Sequence, residues 1–422
     1  MNVLDRVLDE YAARPDSARS AARAAAAAAL RENGLPSRRD ENWHYANLRA
    51  LDAVAAPAPS DLPNFILARY PDALEGFSRM VFRNGSRSGS RPWPAFAGVT
   101  PMPFEEAVAR DAPSAFVRSG DGRLGLTARV LAPEPLALRL DGTVSLEILS
   151  IATSSGDCST DWVIDIAAGA QVNLVERRLP ADPSGTTTSP SIDGHNLRLR
   201  IEPGARLTHT RLQQNADPVV QHDTLDVSVA EGAVYRLRQA TVGGASARSS
   251  VQVQLAGRGA SFDLRAVTAA RNAQVADAQY TILHDAPGTK SDQLFRGIAS
   301  DRAHVACSAD VLVAATATGA RVQQSLRGLL DGKGAEVDLR PRLTINTNEI
   351  QATHGATTGR LDENLLFYLL ARGIDEPAAR SLLKWAFLGE ALGAIDPPAL
   401  RRAAGFAAAA RLSDAPAQEL LQ

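Results

Sequence analysis

The sequence predicts a mainly β chain: a stacked-rung β solenoid flanked by N-terminal and C-terminal helical regions. Three observations carry this. Between about residues 136 and 352, short segments alternate apolar and polar side chains, as in Ser145-Leu146-Glu147-Ile148-Leu149, Thr224-Leu225-Asp226-Val227-Ser228-Val229 and Ser250-Val251-Gln252-Val253-Gln254-Leu255. That period of two marks strands with one buried face. A Gly-Ala step recurs between such segments, at Gly169, Gly204, Gly232, Gly259, Gly319 and Gly334, and the steps at 204, 232 and 259 are 28 and 27 residues apart. Outside this region apolar residues recur at helical spacing instead. One rung cannot bury its inner face alone, so stacking supplies the core. Alternation does not fix strand direction, and an antiparallel sandwich is the competing arrangement.

The N-terminal region, 1–135, opens with a helical pattern. Leu4, Val7, Leu8 and Tyr11 share a face, and the run Ala24 to Leu30 is a strong helix former. Asn33-Gly34 ends it, with Pro36 beyond. Ser37 and Asp40 predict a second short helix carrying Trp43, Tyr45 and Leu48. Trp43 and Tyr45 read as packing residues more readily than as a binding patch. Prolines 57, 59, 63, 71, 92, 94, 101, 103 and 113 then interrupt any long element. Short strands such as Arg79-Met80-Val81-Phe82 fit between them.

The β core spans 136–358, with Pro180 to Ser191 predicted as a loop between rungs. The C-terminal region, 359–422, returns to helix. Asp362 caps a helix with apolar Leu365, Leu366, Leu369 and Leu370, and Gly373 suits its end. Asp375 caps a second helix with Pro377 in its first turn and an apolar face of Ala379, Leu382, Leu383, Ala386 and Phe387. A third starts near Pro398. Three short apolar-faced helices read as a docking module, with Leu365, Leu366, Phe367, Leu382, Leu383 and Phe387 as its partner-binding candidates.

Bulk properties exclude several classes. The apolar fraction of 45% and charged fraction of 22% are those of a globular protein. A net charge of −2 argues against bulk electrostatic binding of nucleic acid. No apolar run reaches the roughly 18–20 residues that span a bilayer. The first residues lack a basic stretch before an apolar run, so no secretory signal is predicted. Two cysteines, Cys158 and Cys307, make no CxxC pattern and predict reduced thiols in a cytosol.

Little standard chemistry is visible. None of the seven histidines forms HxH or HExxH spacing. His304 and Cys307 fall on opposite faces of one strand, which separates them as metal ligands. There is no G-x-S-x-G elbow and no Walker A motif, and Gly243-Gly244 reads as a turn. No catalytic group and no tightly bound cofactor is predicted. His354, flanked by Gly355 and Gly359, reads from spacing alone as a turn histidine bonded to backbone.

A resemblance changes that reading. Pro341-Arg342-Leu343-Thr344-Ile345, His354-Gly355-Ala356-Thr357 with Gly359, Leu361-Asp362-Glu363, Leu366-Phe367-Tyr368-Leu369 and Arg372-Gly373-Ile374 together resemble the SufB/SufD family of iron–sulfur cluster assembly proteins, most closely its SufD branch. The block covers about 341–392, with weaker echoes at His284 and Arg296-Gly297-Ile298. Near the start, Asp40-Glu41-Asn42-Trp43-His44-Tyr45-Ala46-Asn47-Leu48 resembles the family's acidic-Trp-x-Tyr-x-x-Leu segment. The resemblance implies a right-handed parallel β-helix between helical regions, and a non-ATPase scaffold subunit in a complex with SufB and the ATPase SufC. SufB would pair through the β-helix end, SufC would dock on the C-terminal helices, and a homodimer is an option for the isolated chain.

The family motif usually reads Cys-Ser-His-Gly-Ala-Thr, and here position 352 is Ala352. A methyl group cannot ligate iron, whereas a neutral imidazole can. The resemblance therefore implies His354 as a candidate iron ligand for a transient cluster at the SufB interface, with sulfur ligands supplied by SufB. A purely structural partner without metal ligation and a β-helix carbohydrate-active enzyme are the alternatives.

Overall fold

A computed structural model describes residues 2–16, 19–54, 70–88, 95–110, 122–152, 157–180, 190–412, 414 and 416. Prolines 57, 59, 63, 92, 94 and 113, and most of the predicted loop from Pro180 to Ser191, lie outside the described residues.

Nearly all strand pairing is parallel, which removes the sandwich alternative. One sheet orders its strands β19 (Ile350–Gly359), β17 (Ala320–Asp331), β15 (Lys290–Ser300), β13 (Ser261–Ala270), β11 (Val234–Gly243), β9 (Arg206–Asn215), β7 (Gln171–Pro180), β5 (Thr143–Ala152), β1 (Ser78–Arg83) and β2 (Ser86–Ser88), and the other β18 (Glu336–Ile345), β16 (His304–Val313), β14 (Val275–His284), β12 (Ser246–Leu255), β10 (Val219–Val229), β8 (Ser191–Ile201), β6 (Cys158–Ile166), β4 (Leu136–Leu140) and β3 (Val99–Pro101). Strands β4 (Leu136–Leu140) to β19 (Ile350–Gly359) alternate between the two sheets, so each even–odd pair makes one rung. The solenoid reaches back into the proline-interrupted region. There β1 (Ser78–Arg83) adds parallel to β5 (Thr143–Ala152), and β3 (Val99–Pro101) adds antiparallel to β4.

The Gly-Ala repeat has a conformational cause. Gly169, Gly204, Gly232, Gly259 and Gly319 all take φ between 65° and 70°, where a side chain is disfavoured. Each glycine N–H donates to a carbonyl in the next turn, as Gly204 does to Glu231 (2.8 Å) and Gly232 to Arg258 (2.9 Å). The alanine that follows points into the core and is fully buried. Gly288, at φ 69°, belongs to this column, followed by Thr289 instead of alanine. Gly334 does not. It sits at the opposite edge, against Arg302, because it precedes an even strand, β18 (Glu336–Ile345).

Inside, aliphatic and aromatic side chains from facing strands form one continuous core, including Ile166, Ile201, Val229, Leu255, Val313, Tyr235 and Phe262. Each such residue contributes roughly 1.5–3 kcal/mol by burial.

Helices cover the two outer faces. At the N-terminus, α1 (Val3–Ala13) and α2 (Ala21–Asn33) are separate helices, capped by the Asn2 and Ser20 side chains and parted near Pro15. The helix predicted from Ser37 to Leu48 is instead a turn, one 3-10 turn at Glu41–Trp43, and α3 (Leu48–Ala53). The Asp40 carboxylate accepts backward from Ser37 N (2.7 Å) and Oγ (3.1 Å), so it closes a turn rather than starting a helix. After α4 (Phe104–Ala109), α5 (Arg123–Leu131) lies on β6, β8 and β10. Val7, Leu30, Trp43, Leu126 and Val130 join Ile192 and Val220 in a second core there.

The C-terminal helices are α6 (Glu363–Ala371), α7 (Glu376–Leu392) and α8 (Pro398–Arg411). Asp362 accepts from Asn364 N (2.8 Å) and Asp375 from Ala378 N (2.8 Å), as the sequence predicts. Leu388, Leu392, Leu400 and Ala404 cover Val242, Val267, Leu294 and Ile298 of the odd sheet.

Candidate metal centre at the open end of the solenoid

The two sheets end on β18 and β19, and among the described residues no element lies beyond them. Most residues of β19 are exposed, as those of inner strands are not. An edge strand presents unpaired N–H and C=O groups, and proteins usually blunt such edges with charge or proline. Strand β18 carries Pro341 between Arg340 and Arg342, which suits an edge position. Strand β19, Ile-Gln-Ala-Thr-His-Gly-Ala-Thr-Thr-Gly, carries neither charge nor proline.

His354 lies in the middle of β19, which corrects the reading of this segment as a turn. Gly355 and Gly359 are not in the left-handed region, and a side chain at either would meet nothing. The glycines therefore mark open space on an edge rather than a reversal of the chain. The register places His354 beside Gln324 of β17 (Ala320–Asp331), and Ala352 beside Val322. Val322 is a core residue and Ala352 packs against that core, so this parity of β19 faces the interior. His354 thus stands over the open end of the bore, exposed, with no side-chain hydrogen bond or ion pair among the described residues.

Among the described residues no group of three His, Cys, Asp or Glu side chains is arranged to hold a metal ion. Cys158 and Cys307 are both buried free thiols. Burial, with Asp193 beside it, pushes the Cys158 thiol up to about 12, and burial raises Cys307 well above the ordinary range. Neither offers a thiolate. His304 and Cys307 do point to opposite faces: His304 Nε2 meets Asp338 Oδ2 at 2.7 Å on the outside, while Cys307 is in the core. A metal at this end would draw its remaining ligands from outside the described residues.

A buried polar nest inside the solenoid escaped the sequence reading. His209 Nε2 lies 2.6 Å from Glu176 Oε1, and His195 Nε2 3.1 Å from Glu176 Oε2. Burial opposes charge on Glu176, but Arg211, His209 and His195 outweigh it and hold the carboxyl well below its usual range. Arg211 also pairs with Asp223, so arginine balances the charge that a metal would otherwise have to balance. A second polar set gathers around His284. It holds Thr289, Ser291, Gln293 and Gln324, with Gln324 directly below His354. Their sequence signal was a spacing equal to one rung: 31 residues from Gln293 to Gln324 and 30 from there to His354.

The strap from Asp40 to Tyr45 ties the N-terminal helices to this end. Trp43 is buried under the Arg248 guanidinium, 4.2 Å from the ring centroid. Arg340 donates to Asn42 Oδ1 (3.2 Å) and Arg342 to Glu41 Oε1 (2.6 Å), while Tyr45 packs edge-on against His304.

The six candidate docking residues divide by exposure. Leu365 is 52% exposed, Phe367 73% and Leu382 40%, beside Tyr368 at 54%. Leu366 turns inward, and Leu383 and Phe387 lean into the C-terminal core. The exposed apolar set therefore lies on α6, with Leu382 on α7.

Comparison with known proteins places these features. The family described as SUF system FeS cluster assembly, SufBD core domain, matches residues 150–387. The chain is 26% identical over 395 residues to the iron-sulfur cluster assembly protein SufD of Escherichia coli, covering 88% of each chain. It is 26% identical over 385 residues to an iron-sulfur cluster assembly SufBD family protein of Synechocystis, covering 86% of this chain and 84% of the relative. A SufBD family protein of Mycobacterium leprae is 34% identical over 214 residues, 49% of this chain and 55% of its own.

Proposed function

This chain belongs to the SufBD family of SUF-system iron–sulfur cluster assembly proteins, and we propose that it is the SufD-type, non-ATPase scaffold subunit of a SufBCD complex. The observation that carries the reading is the uncovered parallel edge of β19 with His354 at its centre, facing the bore. SufB pairs with this end by extending the sheets, the mode in which an exposed strand edge gains main-chain hydrogen bonds. The side-chain-free space at Gly355 and Gly359 supports a close approach of a partner backbone.

His354 contributes one imidazole to iron in the nascent cluster, which is cargo rather than a resident cofactor. Ala352, half-buried beside it, supplies no thiolate, so the sulfur ligands come from SufB. The SufC ATPase docks on the apolar face formed by Leu365, Phe367, Tyr368 and Leu382. In the absence of SufB the same edge is available to a second copy. The chain works as a scaffold in the cytosol rather than as an enzyme, without nucleic acid or membrane. The buried, unpaired thiols are in keeping with a reducing compartment. No helix among the described residues is long and apolar enough to cross a membrane.

Ala352 favours a second reading, in which the subunit positions SufB and recruits SufC without touching iron. Co-expression of the three subunits separates the two. Under the first reading, His354→Ala leaves the complex intact and lowers its iron and sulfide. Under the second, nothing changes.

A further inference from the structure

The corner of the bore where Gly-Ala turns lead from even to odd strands is apolar on most rungs. Along the even sheet one inward column reads Ile166, Ile201, Val229, Leu255, His284, Val313. Along the odd sheet another reads Leu207, Tyr235, Phe262, Ser291, Val322. The rung formed by β14 (Val275–His284) and β15 (Lys290–Ser300) therefore puts His284, Thr289 and Ser291 where its neighbours mostly have hydrocarbon. Buried polar groups carry a cost unless each finds a partner.

They do find partners, and each bond has a fixed direction. Thr289 Oγ donates to the Ala286 carbonyl (3.0 Å), so toward His284 it can only accept. His284 Nδ1 lies 2.8 Å from that oxygen and donates to it. The ring is neutral, because burial lowers its pKa to about 4, so Nε2 accepts from Ser291 Oγ at 2.8 Å. Ser291 Oγ accepts from Gln293 Nε2 (3.2 Å), and Gln293 Oε1 accepts from Gln324 Nε2 (2.8 Å). Gln324 Nε2 also donates to the Ala309 carbonyl at 3.1 Å. Both of its amide partners are thus acceptors, which forbids the flipped amide. The chain ends on Gln324 Oε1, a buried acceptor with no partner.

His354 occupies the same register position on the next strand, about 4.8 Å away along the ladder. We infer that Gln324 is a positioning residue for His354: the two side chains are not bonded in this structure, but rotation of the exposed ring lets Oε1 accept one ring N–H and leaves the other nitrogen's lone pair facing out of the bore toward the partner. A ligating histidine commonly carries such an acceptor on its second nitrogen, which fixes both tautomer and ring orientation. Here the acceptor's polarity is set from His284, three hydrogen bonds away, so the amide cannot turn a competing N–H toward the ring. The importance for cluster assembly rests on His354 being an iron ligand. The hydrogen bond itself does not.

Two measurements separate those levels. In the full-length chain with ¹⁵N-labelled histidine, the His354 ring signals are those lost in His354→Ala. Wild type is expected to show one neutral tautomer. Gln324→Met, similar in size but without the acceptor, is expected to show the averaged signals of two exchanging tautomers. Gln324→Glu, protonated in this buried site, keeps both a donor to Gln293 and an acceptor for His354, and is expected to retain the wild-type pattern. Identical spectra for wild type and Gln324→Met, or averaging in Gln324→Glu, overturn the inference. The Glu variant keeps the test decisive should the Met variant not fold. In the co-expressed complex, Gln324→Met is expected to weaken iron retention against a chelator about tenfold or more without loss of subunits. If His354→Ala leaves iron unchanged, the ligand reading fails while the tautomer spectra still decide the role of Gln324.

Discussion

Gln324 and His354 stand side by side on adjacent parallel strands, one buried with an unused acceptor and the other exposed on the last rung. The pair marks where the closed interior gives way to an uncovered end.

The docking face predicts separable loss of one partner. Phe367→Asp, at a side chain 73% exposed, is expected to abolish co-purification of the ATPase subunit while leaving the thermal midpoint of this chain unchanged. Leu366→Asp, on the same helix but buried, is expected to lower stability by several kcal/mol instead. Pull-down and calorimetry on both variants check the contrast. Retained ATPase binding in Phe367→Asp would place the docking site elsewhere.

The strap at Asp40 to Tyr45 carries its energy in the aromatic ring rather than in its ion pairs. Trp43→Ala removes a fully buried indole and is expected to cost about 3–5 kcal/mol by denaturant titration. Glu41→Ala breaks the pairs with Arg340 and Arg342, but Glu41 is largely exposed, so its cost is expected to stay within about 1 kcal/mol. Similar losses from both variants would contradict this ranking.

Acid should loosen the interior. Burial lowers His284 and His222 to about 4, below the ordinary value near 6.5. Between those values the unfolded chain binds the extra proton, so stability falls as pH drops from about 6.5 toward 4 and that contribution levels off below. Each ring accounts for at most about 3 kcal/mol across the window. His284→Leu, matching its column neighbours Leu255 and Val313, is expected to flatten the slope by about one proton. It should also lower stability at neutral pH, since Thr289 and Ser291 lose a partner. An unchanged slope would mean that His284 is not neutral in the folded chain.

The rungs were legible in the sequence because two local rules repeat: alternation along each strand, and a left-handed glycine followed by a small inward residue. Gly334 misled because the same dipeptide also occurs at the opposite edge, where no positive φ is required. The helix predicted at Ser37 failed because Asp40 bonds backward. Gly355 and Gly359 suggested a turn around His354, whereas glycine also serves an edge left open for another backbone. The chain from His284 to Gln324 was not legible locally. Stacking brings together residues about one rung apart, and only the two steps of 31 and 30 residues leading to His354 betray it.

The most direct test of the scaffold reading is iron and acid-labile sulfide per complex, measured on anaerobically purified SufB, SufC and this chain, with and without His354→Ala. The reading predicts an intact complex with cluster content reduced at least severalfold in the variant. An intact complex with wild-type iron and sulfide would contradict it.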